Sequence, residues 1–113
     1  MADKPMDLLH GTLDVLILRT LAWSPMHGYG VTRWIRERTA GTLDIEDAPL
    51  YKALHRLERD GCITAAWGLS DNNRRARYYT LTARGRRAFR TEEAAWRRYA
   101  EAVFKVLEAG QPA

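Results

Sequence analysis

Between Thr12 and Trp23 the apolar positions recur at helical spacing: Leu13, Leu16, Ile17 and Leu21 share one face, and Val15, Leu18 and Ala22 make the opposite side apolar as well. Ser24-Pro25 ends this first helix. A helix that is apolar nearly all round has to be covered on both sides, so it is predicted to pack on its own domain and on a partner. After a turn at Pro25-Met26, the stretch His27-Gly28-Tyr29-Gly30 leads into a second helix that ends near Arg38. Val31, Trp34, Ile35 and Arg38 lie on one side of it, with Arg33, Arg36 and Glu37 on the other. Gly41 closes the segment, and Thr42 to Ile45 is predicted to be a short extended piece.

The third helix has clear ends. Asp47 is the expected N-cap, Pro49 falls in the first turn, where a missing N–H costs nothing, and Gly61 follows Asp60 as the stop. Leu50, Leu54 and Leu57 form its core face, while Lys52, His55, Arg56 and Arg59 stand opposite with Tyr51 on the flank. Cys62–Trp67 and Ala76–Leu81 are predicted strands joined by residues 68–75, rich in turn formers. From Thr82, a good N-cap, one helix is predicted to about Ala109, roughly 42 Å long at 1.5 Å per residue. That exceeds the body of so small a domain, so the helix projects. Phe89, Trp96 and Val103 recur seven apart along it, with Tyr99, Val106 and Leu107 beside them, which is a heptad-like seam. Such a seam needs a partner, most simply a second copy. Gly85 leaves room for a bend or a later start.

Composition changes the picture in two ways. At 113 residues the chain is one domain that buries only about two thirds of its unfolded surface, so a second subunit that extends the core is expected. The net charge of +4 is unevenly spread: +1 over residues 1–40, −2 over 41–60, +6 over 61–90 and −1 over 91–113. All seven cations of the third stretch are arginines (Arg74, Arg75, Arg77, Arg84, Arg86, Arg87 and Arg90), whose planar fork suits phosphate. A polyanionic partner follows more naturally than a general solubility charge, the alternative being a solvated basic face.

Other classes of function find little support. No apolar run reaches the ~18 residues of a membrane span, and Met1 to Pro5 is polar, so a cytoplasmic location without membrane contact is expected. Cys62 is the sole cysteine, and His10, His27 and His55 fall on separate elements without a close ligand pair, so no metal or other cofactor is expected. No nucleophile with a local base, phosphate loop or paired carboxylates points to an enzyme.

The order helix, helix, short strand, basic-faced helix, arginine-tipped hairpin, long helix is mainly α with a small β-hairpin. It is that of a winged helix-turn-helix, residues 1–81, followed by a C-terminal dimerisation helix, residues 82–113. In this arrangement the third helix enters the major groove and the wing reaches phosphates or the adjacent minor groove. At Leu8-Leu9-His10-Gly11-Thr12-Leu13-Asp14, His27-Gly28-Tyr29-Gly30, the stretch Leu50 to Glu58, and Asn73 to Thr82 with Gly85, the sequence resembles the PadR-like transcriptional regulators, in particular their short form with a single C-terminal helix.

The resemblance spans about residues 8 to 107 and implies a homodimeric bacterial DNA-binding regulator, usually a repressor, with its recognition helix at Pro49–Asp60 and its wing at Gly68–Ala76. Members commonly carry Gly-Ser before the Leu-Tyr pair and Pro after it. Here Ala48-Pro49 precedes the pair and Lys52 follows it, so a different operator is expected.

The expected contacts with double-stranded DNA are Tyr51, Lys52, His55, Arg56, Arg59, Arg74, Arg75 and Arg77, with Lys52 and Arg56 favoured on the helix. Tyr51 could instead shield the core edge, and Arg77 could face either way. The expected dimer interface is Leu13, Leu16, Phe89, Trp96, Tyr99, Val103 and Leu107. Some relatives stack flat ligands on aromatic residues of the last helix, so Trp96, with Trp23 as a weaker second wall, marks a possible pocket for a small planar aromatic effector. The rival class is a winged-helix module that binds protein rather than DNA.

Overall fold

The computed structural model describes Leu8, Leu9 and residues 11–112. Helix α1 (Thr12–Trp23) starts after Gly11, whose φ of +84° suits glycine, and stops at the extended Ser24 before Pro25. Ile17, Leu18 and Leu21 are buried. Thr20 is buried among them, and its hydroxyl donates to the Leu16 carbonyl at 2.7 Å, so the polar atom is satisfied.

Met26, expected in a turn, and His27, expected to lead into the second helix, form a short strand, β1 (Met26–His27). Helix α2 (Gly28–Arg38) follows at once, capped by the His27 ring, whose Nδ1 accepts from the Gly30 N–H at 2.9 Å. The Thr42–Ile45 piece, expected to be the strand of this region, joins no sheet. The Thr39 hydroxyl takes the Leu43 N–H at 3.0 Å, and Ile45 turns into the core.

Helix α3 (Asp47–Arg59) begins one residue earlier than predicted: Glu46 is the extended N-cap, without a side-chain cap bond, and Asp47 lies in the first turn. There its carboxylate still favours the positive end of the helix dipole. The end is a Schellman motif, with Cys62 N–H to Leu57 C=O at 2.9 Å, Gly61 N–H to Glu58 C=O at 3.0 Å, and Gly61 at φ +79°. It leads directly into the hairpin of β2 (Ile63–Leu69) and β3 (Arg75–Leu81).

The antiparallel sheet runs β1-β3-β2, with Met26 opposite Tyr79, Trp67 opposite Arg77 and Leu69 opposite Arg75. The ladder thus extends into the predicted loop and leaves a shorter tip, closed by Ser70 N–H to Arg74 C=O at 2.8 Å with Asn73 at φ +58°. Leu50, Leu54 and Leu57 of α3 meet Ile17, Leu18 and Leu21 of α1, Val31 and Ile35 of α2, and Ile63, Tyr79 and Leu81 of the sheet in one core.

Helix α4 (Ala83–Leu107) is capped by Thr82, whose hydroxyl accepts from the Gly85 N–H at 3.0 Å. Gly85 neither interrupts nor delays it. A β-carbon at Gly85 would overlap the Cys62 carbonyl oxygen and stand 2.7 Å from Leu81 Cδ1, so the glycine is where α4 lies against the β2 start. The helix ends two residues short of the prediction, and every residue from Glu101 to Pro112 is exposed. The radius of gyration of 16.3 Å exceeds the ~13 Å of a compact chain this long, and the long axis spans 62 Å.

Candidate nucleic-acid interface

The buried face of α3 fixes what its other face presents. With Leu50, Ala53, Leu54 and Leu57 inward, Ala48, Lys52, His55 and Arg59 point away from the body. Tyr51 and Arg56 stand on the two flanks of this face. Tyr51 is half exposed and packs against the N-terminus of α2, so close that a β-carbon on Gly28 would lie 2.8 Å from its hydroxyl. Its hydroxyl is therefore held at a helix start, beside outward-facing N–H groups.

Arg56 turns the other way and forms an ion pair with Asp14 of α1. Lys52 and Arg56 border an open hollow whose other walls include Asp14, Asp44 and Glu46. Of the two helix residues singled out in the sequence, Lys52 lies on the outward face, whereas Arg56 is a strut between α3 and α1.

The wing divides its arginines in the same manner. Arg77 is bound to Glu58 of α3 at 2.8 Å, which ties wing to helix. Arg74, at the tip, and Arg75, at the start of β3, have no carboxylate partner among the described residues. Between the wing and the α2–α3 junction lies an open cleft of about 830 Å³, and its walls include Arg33, Tyr51, Trp67, Arg74 and Arg75. Trp67 and Arg33 are not among the contacts expected from the sequence. The hairpin register puts Trp67 on the face of Arg75 and Arg77, and a register is invisible until the strand ends are known. The remaining arginines of the basic stretch, Arg84, Arg86, Arg87 and Arg90, stand exposed on the first turns of α4 rather than on the wing.

The other end of the molecule carries the apolar seam. Leu13, Leu16 and Phe89 are half buried against the chain's own core, so the uncovered part of the seam begins at Trp96. Tyr99, Val103, Phe104, Val106 and Leu107 continue it, all exposed. Trp96 donates from Nε1 to the Thr12 hydroxyl at 2.9 Å. A hollow of about 520 Å³ opens between α1 and α4, with Leu9, Asp14, Val15, Glu92, Trp96 and Tyr99 in its walls. Desolvation, and then the nearby Asp14 carboxylate, pushes the Glu92 carboxyl above its ordinary range.

Within one chain Trp23 is not part of this hollow. It sits at the far end of α1, exposed, with the Arg19 guanidinium 5.1 Å from its ring.

His27 caps α2, His55 lies on the outer face of α3, Cys62 is buried, and burial raises its thiol pKa. His10 lies outside the described residues.

A three-helix core, a hairpin beside the third helix and a long helix leaving the body define a winged helix-turn-helix protein of the transcriptional-regulator class. The model of the PadR-like transcriptional regulator family matches residues 17–91, and the chain belongs to that family of DNA-binding proteins. It is 36% identical over 81 residues to an uncharacterized protein of Lysinibacillus sphaericus, covering 71% of this chain and 73% of that one.

Among solved structures, a transcriptional regulator from Clostridium thermocellum superposes with a TM-score of 0.79 at 28% identity, over 88% of this chain and 97% of the other. A PadR family transcriptional regulator from Eggerthella lenta does so with a TM-score of 0.74 at 31% identity, over 88% and 85%. Among the described residues no helix is long and apolar enough to cross a membrane.

Proposed function

We propose that two copies of this chain, joined through α4 and α1, bind a pseudo-palindromic operator and repress transcription there. Each copy sets Ala48, Lys52 and His55 of α3 against base edges in a major groove. Tyr51, Arg59 and Arg74 hold the flanking backbone, and Arg75 of the wing lies beside the adjacent minor groove. The observation that carries this reading is the cleft beside α3: Tyr51 on the flank of the helix, Arg33 of α2 and the two wing arginines without an ion pair among the described residues, Arg74 and Arg75, border one open surface next to the exposed face of Lys52 and His55. A winged-helix module for protein partners has no comparable use for paired arginines at a hairpin tip.

The test is footprinting on genomic fragments selected by the protein. Two protected half-sites of dyad symmetry about one helical turn, ~34 Å, apart are expected, and a single asymmetric footprint contradicts the dimeric arrangement.

The same reading gives the hollow beside Trp96 to a small planar aromatic effector that relieves repression. Trp96 and Tyr99 offer it ring faces, and the indole is already tied to α1 through Thr12. An effector there favours one spacing of the two recognition helices over another, which changes relative affinity rather than blocking the DNA surface. Titration with a panel of planar cations and phenolic acids is expected to give saturable quenching of tryptophan fluorescence that is lost in Trp96→Phe. Quenching that survives in that variant, or none across the panel, removes the effector site.

A further inference from the structure

We propose that Trp67 is a positioning residue of the wing: its ring holds the Arg75 guanidinium ready for the minor groove beside each half-site, which makes the protein favour narrow, A·T-rich flanks. The inference rests on the DNA-binding reading above.

The Arg75 guanidinium carbon lies 4.4 Å from the Trp67 ring centroid. The ring itself is 61% exposed, so it fills no gap in the core. In the hairpin register Trp67 faces Arg77 and Leu69 faces Arg75, which places all four side chains on one face of the wing. Arg77 is taken by Glu58. Arg75 is thus the guanidinium of that face with no carboxylate among the described residues, and what orients it is an aromatic plane.

The opposite face is braced. Gly68 lets the Tyr78 ring lie so close that a β-carbon there would be 3.0 Å from it. The Tyr78 hydroxyl donates to the Leu69 carbonyl at 2.8 Å, and the His27 ring stands edge-on to Tyr78 with centroids 5.3 Å apart. A braced strand carries its indole in a fixed place relative to α3, and the indole in turn narrows the range of Arg75.

That arrangement suits one task better than another. A flexible cation reaches a phosphate without any platform, because phosphates line the whole duplex. Entry into a groove demands direction. A guanidinium stacked on an indole keeps its N–H edges free, and it is more weakly hydrated than an ammonium. A narrow minor groove, as in A-tracts, has the deepened negative potential that draws such a side chain in, while a wider G·C-rich groove does not.

The experiment compares two duplexes that share the selected half-sites and differ only in A·T-rich or G·C-rich flanks. The wild-type chain, Trp67→Ala, Trp67→Phe and Arg75→Ala are measured at several salt concentrations, with melting curves as a check on folding. The wild-type chain is expected to prefer the A·T-rich flank by about tenfold, the size of one groove contact. Trp67→Ala is expected to bring the ratio near one while the salt slope is kept, because the Arg75 charge remains. Trp67→Phe keeps most of the preference. Arg75→Ala loses the preference and about one unit of slope.

An unchanged flank ratio in Trp67→Ala, or an equal loss on both flanks, overturns the positioning role while leaving DNA binding intact. A wild-type chain that binds neither duplex overturns the DNA-binding reading and this inference together.

Discussion

Gly85→Ala is expected to lower the melting temperature by roughly 10 °C or more, the largest effect of any single methyl group added to this chain. The new β-carbon would overlap the carbonyl oxygen of Cys62 and press on Leu81. Neither can give way at small cost. The Cys62 carbonyl accepts the Thr82 N–H at 3.0 Å, and Cys62 follows directly on the Schellman turn that ends α3. Relief therefore requires α4 to move off the sheet, which exposes Ala88 and Phe89 where they meet the core. A destabilisation of about 3 kcal/mol or more follows, a large part of what a domain this size has. Gly110→Ala is the control, since nothing lies within 4 Å of a β-carbon there. Thermal melts in which the two variants behave alike would refute the close approach as the reason for Gly85.

The second large effect concerns assembly. Trp96→Glu combined with Val103→Glu is expected to convert dimers into monomers and to weaken operator binding by at least a hundredfold, because two half-sites then have to be filled independently. The α4 residues from Trp96 to Leu107 leave a run of large apolar side chains in water, with Val106 77% and Leu107 72% exposed. Covering them with a second copy recovers burial of about 25 cal/mol per Å² that the single chain leaves unused. Trp96 also bonds to Thr12 in its own chain, so Val103→Glu alone is the cleaner probe and is expected to weaken the dimer without disturbing α1. Sedimentation that shows unchanged dimers of the double variant rejects the seam.

Much of the fold was legible in the residues because each boundary had a local cause. Pro25 stops α1, Gly61 takes the left-handed position after α3, and Thr82 caps α4. The errors fell where local signals competed. Met26 looks like a turn residue after a proline and His27 like the lead into a helix, and only the presence of β3 beside them makes them a strand. Asp47 is a better cap by residue type than Glu46, yet backbone direction gave the position to Glu46.

The site was half legible. The basic face of α3 and the arginine-bearing wing could be read from spacing. That Arg56 and Arg77 are engaged by Asp14 and Glu58 could not, because those pairs join residues 42 and 19 positions apart. The +6 of residues 61–90 lies on the wing and on the first turns of α4, as the order of elements implied.

The most direct measurement is a DNA-binding titration over a salt series, with the wild-type chain beside Arg74→Ala and Arg75→Ala. Each arginine that neutralises a phosphate or lines a groove releases condensed counterions, so log K is expected to fall linearly with log salt, and each variant to lower the slope by about one unit. Wild-type binding that is absent at low salt, or that is insensitive to salt and to both arginines, would contradict the assignment of this surface to DNA.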